Sequence, residues 1–496
     1  MERLSYDYLK KNNPDQLKNN ADLPVKVLQI GEGNFMRGFL DWMIEHMNRQ
    51  GLFNGSVAAL QPTPHGRKIP DLHAQDNAYT VQLRGRLDGR TIDRADLVTA
   101  ISTSINPYEE WEKAVAVARA PGLEVLTSNT TEAGIVYQEE DWNRDAAPLS
   151  FPGKTTQLLY ERYTAFDGDP DKGLVLLPCE LVERNGDVLK DIVLRKIEDW
   201  SLSGDFRKWV TEHNEFCQTL VDRIVTGYPA GIEEYQEKLG YEDRLLTVAE
   251  PYHLFVIEGG ERARRVLPLE DAGLNAVFGP VEDYAELKIR LLNAPHTMMF
   301  APAFLYGVDT VYEAMQNPDI RAFVEGAMDH AIKPVLPYDK EEKDRFARDV
   351  LERFDNPYQR HMLTDLGQNG MQKFGTRVQP IWEKWDSRDP ANQYFTLALA
   401  ALLVYYQPQE KGQEKVQGYA LGRDMLLRDS EEKVNKMYDL WRRHERQELS
   451  TAALVEECTD DSVHAPLVGE YIDALLENGA VSVLQQFHID AKEEIQ

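Results

Sequence analysis

Val25-Lys26-Val27-Leu28-Gln29-Ile30-Gly31-Glu32-Gly33-Asn34-Phe35-Met36-Arg37 is the stretch that decides the fold. Val25, Val27 and Ile30 make a short β-branched run, which reads as a strand. Gly31 and Gly33 free the backbone for a tight turn. Leu40, Met43, Ile44 and Met47 then recur at helical spacing, and Gly51 is a natural stop. Strand, glycine turn and helix together open a dinucleotide-binding unit, with the pyrophosphate expected on the helix N-terminus. The residues that would line it are Ile30, Gly31, Glu32, Gly33, Asn34, Phe35, Met36 and Arg37. Arg37 is either an added charge against the phosphates or a solvated helix-start arginine. Met36 stands where the usual fingerprint has its third glycine, and a methyltransferase can begin with the same loop.

Working outward, Ser56–Leu60 reads as a second strand that ends at Gln61-Pro62. Enzymes that bind NAD often carry an acidic residue there for the ribose diol. None is present, and His65, Arg67 and Lys68 follow, so local chemistry leans towards a 2′-phosphate and NADP. Residues 78–87 and 97–101 alternate as strands do, and 107–118 reads as a helix. Leu123–Leu126 is a further strand, running into Thr127-Ser128-Asn129-Thr130. Hydroxyls and an amide at a strand end suit the nicotinamide and ribose side of the crevice, so Ser128, Asn129 and Thr130 join the cofactor candidates. The competing reading is a turn that caps the next element. Residues 173–178 form a buried strand, Asn185-Gly186 signals a tight turn, and 199–239 looks helical through Trp200, Trp209, Phe216, Leu220 and Ile224. His253 reads as a satisfied core histidine. The break at Gly279-Pro280 divides the chain into a Rossmann-like α/β domain, 1–280, and a mainly α-helical domain, 281–496.

The second half carries the chemistry. Glu286 to Met299 reads as a helix in which Lys288, Asn293 and His296 fall within an arc of about 140°. An amine that can lose its proton, beside neutral donors, suits proton exchange at a carbonyl or alcohol during hydride transfer. Pro295 should kink or break the helix just where Asn293 and His296 project. Further on, Lys373 and Arg377 are spaced i,i+4 in a basic, amide-rich run, as a carboxylate clamp requires. Residues 323–333, 341–354, 362–373, 395–406 and 430–447 read as helices, and 408–418 as a charged loop.

Bulk properties narrow the classes. The chain of 496 residues, 42% apolar, is long enough for two cores. A formal charge of −28 argues against nucleic-acid or anionic-membrane partners, so an anionic substrate needs a local basic cluster. Three scattered cysteines suggest neither a disulfide framework nor a zinc site, and no metal is expected. Residues 1–23 are too polar for a secretory signal, and the apolar run 395–406 is too short to span a bilayer. A cytoplasmic enzyme with a small-molecule substrate is the expectation, its oligomeric state left open.

The spacing Lys288-x4-Asn293-x2-His296 resembles the mannitol dehydrogenase, or polyol-specific long-chain dehydrogenase, family. So do Gln29–Phe35, Ser128–Gly134, Pro178–Leu181 and Leu220–Pro229, and the likeness runs from about Val25 to beyond Arg377. The resemblance implies a zinc-independent dehydrogenase using NAD rather than NADP. In that picture Lys288 is general acid and base with its pKa lowered by burial, Asn293 donates to the developing alkoxide and His296 polarises the same oxygen. Asp222 would lie near the substrate. Mannitol-type members have Cys-Asp-Asn where this chain reads Cys179-Glu180-Leu181, and leucine cannot donate to an oxyanion. Asn293 must then do more, or Glu180, Asn185 or another group substitutes. The departure points to the branch acting on keto sugar acids, with reduction of D-tagaturonate to D-altronate implied. Fructuronate reduction to mannonate, or a polyol dehydrogenase, is the alternative.

Overall fold

The computed structural model describes residues 1–15, 22–412 and 415–494, with side chains described as far as 487. It divides into two units: Met1–Arg84 with Thr91–Tyr284, and Gly85–Arg90 with Ala285–Gln496.

The first unit is built on a six-stranded parallel sheet. Its strands are β1 (Val25–Ile30), β2 (Ser56–Leu60), β3 (Ile101–Ile105), β4 (Val125–Ser128), β5 (Val175–Pro178) and β6 (Glu215–Phe216), in spatial order 3-2-1-4-5-6. This is the doubly wound order, whose direction reverses between β1 and β4. Both faces are covered. Val27, Val57, Val125 and Val175 pack into one apolar cluster, and Leu28, Ala58, Leu126 and Leu176 into the other. Burial on both sides explains why these strands read as continuous apolar runs. Two smaller sheets complete the unit. One joins Gln218–Asp222, Leu254–Glu258 and Ala276–Phe278, and the other joins Val225–Gly227, Thr247–Ala249, Tyr79–Leu87 and Arg90–Val98.

Three sequence expectations are corrected here. Residues 199–239 are not one helical stretch: helices Gly204–His213 and Ile232–Leu239 flank three strands, Glu215–Phe216, Gln218–Asp222 and Val225–Gly227. Phe216 and Leu220 therefore lie on strands. Asn185-Gly186 is not a hairpin turn, because it begins the Asn185–Asp199 helix. Gly186 is required by proximity, since a Cβ there would lie 2.3 Å from the Cys217 carbonyl oxygen. The strand expected at 97–101 is the end of one strand, Arg90–Val98, and the start of β3.

The second unit is mainly helical. Ala294–Tyr306 and Asn392–Tyr405 are apolar on every side and buried on every side, and they pack against each other. The helix expected at 362–373 is two, Leu363–Leu366 and Gly370–Arg377. Part of the expected loop 408–418 is instead a strand, Lys415–Ala420, paired antiparallel with Arg423–Arg428; residues 413 and 414 of that loop lie outside the described residues, as do 16–21 of the leader. Among the described residues no helix is long and apolar enough to cross a membrane.

Pro295 does not break its helix. The chain runs from Val281–Leu287 through a π-helical turn, Lys288–Asn293, directly into Ala294–Tyr306.

Candidate active site

In the first unit the cofactor candidates converge at the switch point between β1 and β4. Ile30 pairs with Ser128 across the two strands. Gly31 has φ +117, and a Cβ there would lie 2.6 Å from the Asn129 carbonyl oxygen, so only glycine fits. Gly33 differs: it precedes the Asn34–Gly38 helix with no atom within 4 Å of where a Cβ would be. Phe35 stacks on Phe39, and Met36 is fully buried. Arg37 points inward. Its guanidinium donates to the Glu32 carbonyl (2.5 Å), to Asn34 Oδ1 (2.6 Å) and to Thr247 Oγ1 (3.3 Å), and is 1% exposed. It is therefore not a solvated arginine. Burial raises the Glu32 carboxyl above its ordinary value.

Glu180 organises the β4 end. Its carboxylate accepts from Ser128 Oγ (3.0 Å), from the Thr130 amide (2.9 Å) and from Thr130 Oγ1 (3.1 Å), while Asn129 Nδ2 donates to the Cys179 carbonyl (2.8 Å). Asn185 is equally committed, its amide donating to the carbonyls of Pro178, Glu180 and Thr219 and to Thr219 Oγ1. Leu181 is 67% exposed. Both side chains that sequence offered as substitutes for the missing oxyanion donor are thus tied into the fold. At the end of β2, Gln61 is buried, donates to the Thr63 carbonyl (2.8 Å) and folds over Gly66. Asp222 is buried at the end of its strand, opposite Leu254. His253 is half-buried and satisfied, as expected for a structural histidine: Asn275 N–H donates to its Nε2 (3.0 Å), and burial lowers its pKa to about 3.

In the second unit Lys288, Asn293 and His296 come together on one continuous helix. An i→i+5 ladder stacks residues five apart, as an i→i+4 ladder does for residues four apart. Lys288 and Asn293 are five apart within the π-turn, so the wide arc expected from α-helical spacing closes. Lys288 and Asn293 are partly exposed, and His296 is buried. The imidazole stacks on Phe354 (centroids 3.9 Å apart) and meets His361 edge-on (5.2 Å). Its Nε2 is buried without a hydrogen-bond partner. Burial, reinforced by His361, Arg353, Arg377 and Lys373, holds its pKa well below the ordinary value, so the ring is neutral. A buried, neutral, unpartnered ring nitrogen is left open to a hydrogen bond from outside the protein.

The expected clamp lies beside this ring. Arg377 reaches Thr297 Oγ1 (3.4 Å), one residue on from His296, and Lys373 donates to the Leu366 carbonyl (3.0 Å). Burial lowers the pKa of both. Arg353, also felt by His296, was missed in the sequence because it ends a highly charged helix, Lys340–Phe354, and reads as one more surface arginine. Among the described residues no group of three or more His, Cys, Asp or Glu side chains stands together as a metal site.

A doubly wound sheet with its glycine turn, and a helical unit bearing Lys288, Asn293 and His296, define a two-domain dinucleotide-dependent oxidoreductase. The chain belongs to the mannitol dehydrogenase family: residues 25–270 match the mannitol dehydrogenase Rossmann domain and residues 280–464 its C-terminal domain. It is similar to an altronate oxidoreductase of Halalkalibacterium halodurans, 45% identical over 459 residues, 92% of this chain and 90% of that one. An altronate oxidoreductase of Bacillus subtilis is 40% identical over 409 residues, 82% of this chain and 85% of that one. Among solved structures, a D-sorbitol dehydrogenase is similar in fold (TM-score 0.74, 19% identity, covering 97% of this chain and 99% of that one). So is Pseudomonas fluorescens mannitol 2-dehydrogenase, solved with NAD and D-mannitol (TM-score 0.63, 20% identity, covering 98% and 99%).

Proposed function

We propose that this protein interconverts D-tagaturonate and D-altronate with NAD(H), in hexuronate breakdown in the cytoplasm. One observation carries the reading. In a chain of net charge −28, Lys373, Arg377 and Arg353 gather around His296, beside the Lys288–Asn293 turn. A polyol has no charge for such a cluster to bind, whereas a sugar acid brings a carboxylate. The names of the similar Halalkalibacterium and Bacillus enzymes support the same substrate.

The first unit suits a dinucleotide. The open space beside Gly33 is a cradle that a side chain would fill, and Gly31 lets β1 and β4 close beneath it. NADH, when bound, supplies the hydride to the ketone carbon. The chain's own residues manage the oxygen. Lys288 gives its proton to that oxygen in reduction and takes it back in oxidation. Asn293 donates to the developing alkoxide, and the His296 nitrogen adds a second bond. Because His296 is neutral, it serves as a hydrogen-bonding group and leaves the proton to Lys288. With Glu180 and Asn185 tied into the fold, Asn293 and His296 carry the oxyanion between them. Asp222, buried at its strand end, is assigned to the substrate side on family grounds, and Arg37 to holding the glycine turn.

NADH oxidation followed with tagaturonate, fructuronate and fructose side by side tests the reading. Tagaturonate should give the highest kcat/KM, and a preference for fructose would defeat it. The same assay with NADPH should be slower; faster turnover would mean that exposed Arg67 takes a 2′-phosphate. A binding measurement tests the cradle separately. Gly33→Ala meets no atom and keeps a φ of −67, so it should fold normally. It should weaken NADH binding by about tenfold or more, roughly 1.4 kcal/mol. An unchanged Kd would move the pyrophosphate off this turn.

A further inference from the structure

The π-turn Lys288–Asn293 ends with the Ala294 N–H donating to the Ile289 carbonyl, five residues back. The next residue is Pro295, which has no N–H to give. A second π-turn in this unit is built the same way: Ala327–Ile332 ends with the Lys333 N–H donating to the Met328 carbonyl, and Pro334 follows. In both, the last N–H of the wide ladder lies one residue before a proline.

The physical reason is a competition between registers. An N–H at position 295 would donate to Leu291 four residues back and draw the ladder into α register. Proline removes that donor, and its ring crowds the carbonyl four back, which disfavours the tighter register again. Pro302 lies within the same helix with no wide turn before it, so proline does not create the turn by itself. Its part is to hold a register that the packing of Leu291 and Leu292 allows.

We infer that Pro295 is a positioning residue: by holding the π-turn it sets Lys288 over Asn293 and His296 for proton transfer. In α register Lys288 and Asn293 would stand about 140° apart around the axis, and the oxygen that Asn293 and His296 hold would lose its proton donor. Pro295 itself touches no reacting atom in this scheme. The kinetic side of the inference rests on the proposed function; the structural side does not.

Pro295→Ala in the full chain tests it, with Pro334→Ala as the same change at the other wide turn. Pro295→Ala should lower kcat by about 10- to 100-fold, as misplacement of a catalytic group does. KM for NADH should stay the same and the melting temperature should hold. Pro334→Ala should keep kcat; an equal loss there would show general destabilisation and overturn the inference. A crystal structure of Pro295→Ala should show α register across 288–293, and a persisting π-turn overturns the inference. So does wild-type kcat in a variant whose register has shifted. If Pro295→Ala fails to fold, Pro295→Ser restores the same N–H with a different side chain; loss of kcat with unchanged NADH binding supports the inference, and full kcat overturns it. A wild type inactive on every sugar acid and polyol defeats the proposed function alone, and the register in the Pro295→Ala crystal then decides.

Discussion

Lys288→Ala is expected to lower kcat for altronate oxidation by about 10²–10⁴, the range of general acid–base catalysis, while NADH binds as before. The size follows from what remains. Asn293 is an amide and cannot carry the proton, and His296 is held neutral by burial and by the surrounding Arg353, Arg377 and Lys373. Neither replaces an amine that exchanges a proton with the substrate oxygen. His296→Gln, by contrast, should lower kcat less, because the proton donor remains. Chelators should leave the wild type active, because Lys288 supplies the proton chemistry that a metal-bound water supplies elsewhere. A Lys288→Ala enzyme with near-normal kcat would make Lys288 structural and His296 the next acid–base candidate.

The first unit was legible in the sequence where local chemistry dictates structure. Val25 to Gly33 reads as a strand and a turn, because β-branched residues give way to two glycines, the first of which the chain cannot replace. Gly31, with its φ of +117 and its close approach to Asn129, bears the cost of any other residue. Strand Gln218–Asp222 was misread for a definite reason. Phe216, Leu220 and Ile224 fall four apart and imitate a helix, while the strand is buried on both faces and so shows no period of two. Asn185-Gly186 failed differently. Its use was fixed by a distant carbonyl, that of Cys217, which no local rule contains.

The site divides in the same way. That Lys288, Asn293 and His296 lie on one side could be read from spacing, since even an α-helix through 286–299 keeps them within an arc of about 140°. Their register could not. Whether the ladder bonds four or five back depends on how Leu291 and Leu292 are packed, and the one local clue, Pro295, reads as a kink or break. Lys373 and Arg377 were visible as an i,i+4 pair. Arg353 was not, because a charged helix hides the one arginine that turns inward at its end.

Arg377→Ala should raise KM for tagaturonate by about 10- to 150-fold, the equivalent of a charge-assisted hydrogen bond worth roughly 1.5–3 kcal/mol. Burial alone accounts for the lowering of its pKa, and no carboxylate pairs with it among the described residues. The acids closest to this cluster are engaged elsewhere. Asp365 pairs with Arg428 (2.9 Å), and Asp429 accepts from Tyr406 Oη (2.8 Å) and from the Ser430 amide (2.8 Å). A half-buried guanidinium kept without an acid, in a chain with 83 acidic residues and 55 basic ones, is poised for an anion that arrives from solution. The backbone helps to aim it. Arg290 donates to the Thr376 and Arg377 carbonyls (3.0 and 2.7 Å) and so ties the end of the Gly370–Arg377 helix to the π-turn. Arg377→Lys should recover only part of the loss, since an ammonium keeps the charge and lacks the two-pronged geometry of the guanidinium. Fructose, which has no carboxylate, should show the same KM with wild type and Arg377→Ala. Equal losses for fructose and tagaturonate would mean that Arg377 supports the fold, and an unchanged KM for tagaturonate would shift the carboxylate to Lys373 and Arg353.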